Sequence, residues 1–167
     1  MLYYYFGSKQ GLYLAVLERA YAGIRALEQQ LSVSDLNPAR AVRAVAELTF
    51  DHHEAHPDFI RLVAIENIHH AEHLRSSPLR EGLAGPAVGV LEPILARGRE
   101  TGMFRDDVDA FDVHVLISSF CVFRVANRHT VSAIFGRDLL DPARRAHYRR
   151  MVGALVVEYL TARVGQD

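Results

Sequence analysis

The amino-acid sequence predicts an all-α protein, an antiparallel bundle of about six helices. Apolar residues recur every three or four positions in long segments, which is the period of a helix with one buried face. Runs of alternating apolar and polar residues joined by hairpin turns, which would predict strands, are absent from the sequence. The third observation is a helix-start pattern, a capping residue followed by proline, at Asn37-Pro38, Ser77-Pro78 and Asp141-Pro142.

The composition is that of a folded domain with a large core. Half of the 167 residues are apolar, 23% are charged, and the formal net charge is -1. A chain of this length buries enough surface on folding to need neither a metal nor a disulfide for stability. Cys121 is the single cysteine and lies in an apolar run, so we expect it to be buried as a small hydrophobic residue.

Caps and prolines also set the boundaries of the predicted helices. Ser8 and Asp109 are suitable N-caps, and His56-Pro57 closes one helix and opens the next. Since proline inside a helix removes a backbone hydrogen bond, we expect a break near Gly85 and a kink near Pro93. The predicted helical segments are residues 8–32, 38–56, 57–73, 78–102, 109–135 and 142–164.

Two of these segments carry predictions about packing. In the first, an apolar stripe that includes Val16 and Leu27 is expected to face the core, with Arg25 and Glu28 on the outer side. In the fifth, residues 110–126 are apolar on every side. This pattern predicts a central helix that is buried all round.

Charge and hydropathy exclude several classes of function. The near-neutral charge argues against a chain whose main task is binding a polyanion. The longest apolar stretch, residues 110–126, contains Asp112, His114 and Arg124 and falls short of the ~20 apolar residues that span a bilayer. The first residues lack the pattern of a signal peptide, so we expect no membrane segment and a cytoplasmic location. No cofactor is predicted, because the sequence has neither a phosphate-cradling glycine loop nor a G-x-S-x-G motif.

Three motifs resemble those of TetR-type transcriptional regulators. Residues 2–12, LYYYFGSKQGL, resemble the string that joins the DNA-recognition helix of that family to the first helix of its ligand-binding domain. Residues 102–107, GMFRDD, are similar to a turn between two later helices, and residues 127–136 are similar to one branch of its C-terminal domains. The resemblance implies a TetR-like C-terminal ligand-binding and dimerisation domain.

The same resemblance implies a role in DNA binding for the first residues. Tyr3, Tyr4 and Lys9 match positions that contact DNA phosphates in the family, and tyrosine hydroxyls and lysine ammonium groups both donate to phosphate oxygens. We expect residues 1–7 to be the remnant of the recognition helix and residues 8–167 to form the ligand-binding and dimerisation domain. Because most of the helix-turn-helix is missing, operator DNA is expected to be a partner only of a complete form of the protein.

The resemblance further implies a homodimer formed by the last two helices, residues 109–135 and 142–164. The sequence agrees, because the last segment carries an apolar stripe and the preceding one is apolar on more faces than one protomer can cover. The stripe consists of Val152, Leu155, Val156, Tyr159 and Leu160. On the same segment, four arginines are expected to form a solvated face with Asp138 and Asp141 nearby, namely Arg144, Arg145, Arg149 and Arg150.

By the same resemblance, a small effector binds among the middle helices. Polar residues on apolar stretches are candidates to bind it, and neighbouring apolar residues are candidates for its walls, although each of them could equally be plain core. Arg124 keeps its charge when buried, so we expect Glu66 or a ligand carboxylate as its partner. The predicted ligand-binding residues are Phe59, Val63, Glu66, His70, Phe120, Phe123, Arg124 and Asn127.

An alternative from another class is a metal-binding helical protein, either a metal sensor or a metalloenzyme. His52 with His56, and His69 with His73, lie one helical turn apart, a spacing that can chelate zinc, nickel or copper. Glu66 and His69 form an E-x-x-H string of the kind that di-iron bundles use, but a second such string is absent. Exposed histidines at helix ends would produce the same spacing without binding a metal. We therefore favour a regulator that is not an enzyme over the metal-binding alternative.

Overall fold

The computed structural model describes residues 6–77 and 88–162. Within these ranges the chain forms eight helices and no strand, which confirms the all-α prediction. The helices are α1 (Lys9–Gln30), α2 (Pro38–Ala55), α3 (Pro57–Ile68), α4 (Glu72–Ser76), α5 (Leu91–Glu100), α6 (Ala110–Ala126), α7 (Arg128–Phe135) and α8 (Pro142–Thr161).

The predicted caps start four of these helices. The side chain of Ser8 accepts a hydrogen bond from the backbone N–H of Gly11, and that of Asn37 accepts one from Arg40. Asp141 caps α8, and Asp109 forms a reciprocal capping box at the start of α6. Proline stands at the beginning of α2, α3 and α8, as predicted. The start predicted at Ser77-Pro78 and the break near Gly85 lie at or beyond the edge of the described residues.

Two predicted segments are each divided into two helices. The segment 57–73 breaks after α3, where His70 and Ala71 have positive φ angles of 54° and 58°. The segment 109–135 breaks at Asn127, and α7 is bent by 66° from α6. Pro93 lies in the first turn of α5, where a helix has no intrahelical partner for the backbone N–H, so the expected kink takes the form of a helix start.

The main core lies between α2, α5, α6 and α8, and α2 is its central helix. Phe50 on α2 is completely buried and belongs to the same apolar cluster as aliphatic side chains from the other three helices. The prediction that α6 is the central, fully buried helix is wrong, because Phe111, Val115 and Phe123 on α6 are exposed. The opposite side of α6 is buried and includes Cys121, as expected, and burial raises the pKa of that thiol to about 12.

The orientation predicted for α1 is also wrong. Val16 and Leu27 are exposed, whereas Leu17, Ile24 and Glu28 face inward against α2 and α3. Glu28 can face inward because Arg25, three residues earlier, forms an ion pair with it. Helix α1 therefore presents one charged pair to the interior and leaves an apolar stripe on the outside.

The segment 102–107 forms a tight turn between α5 and α6 that contacts the end of α8. Gly102 adopts a positive φ of 66°, and the backbone N–H of Arg105 donates to Leu160 O at 2.9 Å. A Cβ atom on Gly98 would lie 2.0 Å from Cδ2 of Phe104, whose ring is buried in the core. The packing of this turn therefore depends on Gly98, because a residue without a Cβ atom lets the Phe104 ring lie directly against the α5 backbone.

No single helix among the described residues is long and apolar enough to span a bilayer. The bent pair of α6 and α7 would be long and apolar enough when the two helices are counted together, by length and composition only.

Candidate functional site

A cavity of about 190 Å³ lies between the main core and the layer formed by α1 and α3. Helix α1 contributes one wall, α2 and α6 form the opposite side, and α3 closes one face. The Tyr21 and Phe59 rings meet edge to face with 5.0 Å between their centroids, which joins α1 to α3 beside the cavity. The lining residues are Tyr21, Ile24, Arg25, Glu28, Thr49, His53, Phe59, Ile60, Val63, His114, Ser118 and Val122.

The charged groups of this lining are an arginine and a glutamate. Arg25 Nη1 lies 2.5 Å from Glu28 Oε2, and their side chains are 14% and 6% exposed. Burial raises the pKa of Glu28 above its ordinary value, although Arg25 acts in the opposite direction. The Nε atom of Arg25 is buried without a hydrogen-bond partner among the described residues. The cavity wall therefore holds an ion pair whose cation has hydrogen-bonding capacity left over.

Two histidines of the lining are held neutral. Burial, together with the neighbouring His52, lowers the pKa of His53 to about 4. Burial and the positive charge of Arg25 likewise lower the pKa of His114. At neutral pH both imidazoles are uncharged hydrogen-bonding groups, and the formal charges of Arg25 and Glu28 cancel.

Acidification is expected to destabilise the protein through the buried histidines. The pKa of both His52 and His53 falls from 6.5 to about 4 on folding, mainly through burial. Between these pH values the unfolded chain binds more protons than the folded one, so this stability is complete above about pH 6.5 and is lost as the pH falls towards about 4. Urea unfolding at about pH 7.5 and about pH 5 measures the loss, and His53→Leu should reduce it.

A matched variant separates this effect from general acid sensitivity. His129 is exposed, so His129→Leu should leave the loss between the two pH values as large as in the wild type. If both variants behaved alike, buried His53 would not be a source of the pH dependence.

The predicted ligand-binding residues are not all brought together. Phe59 and Val63 line the cavity. Phe120 packs against the main core, Phe123 and His70 are exposed, and Asn127 marks the break between α6 and α7. Of these predicted residues, the geometry therefore supports a role in lining the cavity for Phe59 and Val63 only.

Arg124 and Glu66 do not pair with each other, and each has its own partners. Arg124 donates to Glu54 Oε2 at 3.0 Å and to Leu139 O at 2.8 Å, so the expected pairing with Glu66 is replaced by one with α2. Glu66 accepts hydrogen bonds from His73 Nδ1 at 2.9 Å and from the backbone N–H of Leu74 at 3.1 Å. Burial alone would raise the pKa of Glu66, but these contacts and Tyr13 outweigh it and hold the pKa below the ordinary value. Glu66 thus fixes α4 against α3.

Most of the cavity lining was missed at the level of sequence. The main signal was the spacing of Arg25 and Glu28, because two opposite charges three residues apart on a helix neutralise each other and can be buried together. Both were assigned to the solvent side instead. The remaining lining residues are aliphatic, aromatic or hydroxylic, and nothing in their local pattern distinguishes them from plain core.

Two comparisons with known proteins indicate the family of this chain. A family model described as the C-terminal domain of tetracyclin repressor-like proteins matches residues 38–156, from the start of α2 into α8. The chain belongs to the tetracyclin repressor-like (TetR) family. It is similar to the HTH-type transcriptional repressor NicS of Pseudomonas putida (strain KT2440), with 38% identity over 160 residues, which cover 96% of this chain and 76% of NicS. The TetR-type regulator predicted from the three motifs is thereby confirmed.

The metal-binding alternative finds no support in this TetR-family chain. The His52 and His56 rings stack with centroids 4.3 Å apart, and the His69 and His73 rings meet edge to face at 6.2 Å. Nowhere in residues 6–77 and 88–162 do three histidine, cysteine, aspartate or glutamate side chains converge as a metal ion would require. Nδ1 of His73 lies against Glu66 instead, as described above.

The arginines of α8 form a bridge to α2. Arg145 donates to Asp51 and Glu54, and Arg149 donates to Asp51 and Glu47. The aspartates expected near them have other roles, because Asp138 pairs with Arg128 and Asp141 caps α8. The four-arginine face of this TetR-family chain is thus partly an internal salt-bridge network.

The apolar stripe predicted on the last helix divides into two rows. Val152, Val156 and Leu160 are completely buried against the protomer's own core. Leu155 and Tyr159, together with Met151, form a second row that is exposed in the single protomer. Helix α6 packs beside α8 and has its own exposed apolar row, formed by Phe111, Val115 and Phe123.

Proposed function

We propose that this TetR-family chain senses a small molecule in the cavity beneath α1 and couples its binding to the control of transcription. One observation carries the proposal: the buried Arg25–Glu28 pair lines a hollow, and both residues belong to the helix that starts at Lys9. Lys9 is exposed and lies in the motif that resembles the link to the recognition helix. A change in the position of Arg25 and Glu28 would therefore move the same helix that leads towards the DNA-binding end.

Dimerisation is part of the proposed function. The exposed rows on α6 and α8 lie within residues 109–135 and 142–164, the segments expected to pair between protomers. Exposed large apolar side chains on two neighbouring helices are typical of an interface. We infer a twofold dimer through these rows, which would set the distance between two DNA-binding heads.

DNA contact by Tyr3, Tyr4 and Lys9 remains a prediction from the family resemblance. Tyr3 and Tyr4 lie outside the described residues, whereas Lys9 is exposed at the first position of α1. We propose that operator DNA is a partner only of a form of the protein with a complete helix-turn-helix. We also propose a cytoplasmic, non-enzymatic role, which follows from acting on DNA.

A cavity-filling variant tests the sensing function. Val63→Phe places a phenyl ring in the hollow, at a stability cost of about 1–3 kcal/mol from overpacking. A library of small metabolites is screened by thermal shift against the wild type. We expect the compounds that raise the Tm of the wild type to leave the Tm of Val63→Phe unchanged.

Val16→Phe is the matched control, since Val16 is exposed on α1 and does not line this cavity. The control variant should respond to the same compounds as the wild type. Compounds that stabilised Val63→Phe as strongly as the wild type would bind elsewhere, and the cavity would then not be the sensing site.

A further inference from the structure

We propose that the cavity binds a compact monocarboxylate, which takes Arg25 as its cationic partner. This inference rests on the proposed sensing function and specifies the chemical class of the effector. It follows from the unequal ability of the two members of the buried ion pair to lose their charge.

Arg25 and Glu28 differ in what happens when a ligand competes for one of them. A cationic ligand would bind Glu28 and leave a buried guanidinium, which cannot release its proton in a protein. An anionic ligand would bind Arg25 and leave a buried carboxylate, which can become neutral by taking up a proton. The pair therefore tolerates an incoming anion far better than an incoming cation.

The surroundings of Arg25 favour the same outcome. Its Nε–H is buried without an acceptor among the described residues, so the guanidinium can donate further hydrogen bonds when a neighbouring group moves. A carboxylate offers two acceptor oxygens in the geometry of the guanidinium fork. No competing anion other than Glu28 belongs to the cavity lining.

The size and walls of the hollow limit the ligand to a compact molecule. Its volume of about 190 Å³ is smaller than the 300–1,000 Å³ typical of pockets for drug-sized ligands. Ile24, Phe59, Ile60, Val63 and Val122 provide apolar walls for the body of such an acid. The hydroxyl of Ser118 and the neutral imidazoles can hydrogen-bond to additional polar groups.

Proton uptake is a consequence that can be measured. With a ligand carboxylate bound, two carboxylates share one guanidinium, and Glu28, whose pKa burial already raises, becomes protonated. The ligand keeps its charge and Glu28 accepts one proton from solvent. Other ionisable groups face this pair: Tyr21 on α1, His52 and His53 on α2, and His114 on α6 lie within electrostatic reach of Arg25, and Glu66 on α3 lies within reach of Tyr21.

The experiment compares acids with neutral molecules of the same shape. Benzoate with benzamide, and isovalerate with isovaleramide, are titrated into the full chain by calorimetry in two buffers of different ionisation enthalpy. We expect each acid to bind at least about tenfold more tightly than its amide, with uptake of up to about one proton. Arg25→Gln should abolish this preference, and Glu28→Gln should retain it, bind the acids more tightly and take up no proton.

Two further variants keep the outcome interpretable. Arg61→Gln removes an arginine from an exposed pair of the same three-residue spacing, formed with Asp58, and should behave like the wild type. The double variant Arg25→Gln/Glu28→Gln replaces the ion pair by two neutral amides, so it tests the loss of acid preference even if Arg25→Gln alone folds poorly.

The possible failures are distinguishable. If the amides bind as well as the acids, or if Arg25→Gln keeps the acid preference, the carboxylate inference is wrong while sensing stands. If proton uptake persists in Glu28→Gln, Glu28 is not the group that releases Arg25, and the inference is equally overturned. The proposed sensing function itself would fail only if the thermal-shift screen found no compound that depends on Val63.

Discussion

Leu155→Glu is expected to convert the proposed dimer into monomers while leaving each protomer folded. Leu155 is 39% exposed in the protomer and lies in the apolar row on α8 between Met151 and Tyr159. A twofold interface contains this residue twice, so both copies would bury an unpaired carboxylate. At about 2 kcal/mol per copy, the dissociation constant would rise by about 1,000-fold. Sedimentation velocity across a range of protein concentrations measures the change.

Leu27→Glu is a closely matched control. Leu27 is also a leucine with 39% exposure, but it lies on α1, which is not one of the two helices proposed to form the interface. This variant should remain dimeric, and circular dichroism should show unchanged helix content for both variants. Val156→Glu, at a completely buried position one residue further along α8, should instead unfold the protomer. A wild type that sediments as a monomer, or a Leu27→Glu variant that dissociates equally, would contradict the assignment of the interface.

Features fixed by neighbouring residues could be predicted from the sequence. The caps at Ser8, Asn37, Asp109 and Asp141 act over two or three residues, and proline restricts its own backbone and removes one donor. These local effects determine where helices begin. The ends were predicted less well, because the breaks at His70-Ala71 and at Asn127 lack glycine or proline to mark them.

Features that depend on which helices meet could not be predicted in the same way. Both sides of α1 carry apolar residues, so the apolar pattern alone does not indicate which side is buried. The side with Glu28 is buried because Arg25 neutralises Glu28 inside the fold. The partner of Arg124 is Glu54, 70 residues earlier in the chain, so no local pattern indicates it. Of the predicted site, Phe59 and Val63 line the cavity because they lie four residues apart on one face of α3.

Arg124→Ala is expected to destabilise the protein by about 3 kcal/mol. Arg124 is 3% exposed, donates to Glu54 and Leu139 O, and lies with its Cζ atom 4.1 Å from the centroid of the Phe50 ring. Removal leaves the Leu139 carbonyl without this donor, creates a cavity beside Phe50 and ends the cation–π contact. Glu54 retains Arg145 Nε at 2.9 Å, so the loss is smaller than for a carboxylate left alone. Urea unfolding at one fixed protein concentration measures the change.

Arg145→Ala separates burial from charge in this network. Arg145 bonds to both Asp51 and Glu54, but its side chain is 42% exposed, so solvent screens the pairs and the expected loss is about 1 kcal/mol or less. Equal losses for the two variants would mean that the burial of Arg124 and its closer approach to the Phe50 ring, 4.1 Å against 5.7 Å for Arg145, contribute little. Because Arg124 lies outside the cavity lining, folded Arg124→Ala should bind benzoate as the wild type does. Weakened binding of benzoate in that variant would indicate that the anion binds Arg124 on α6 instead of Arg25.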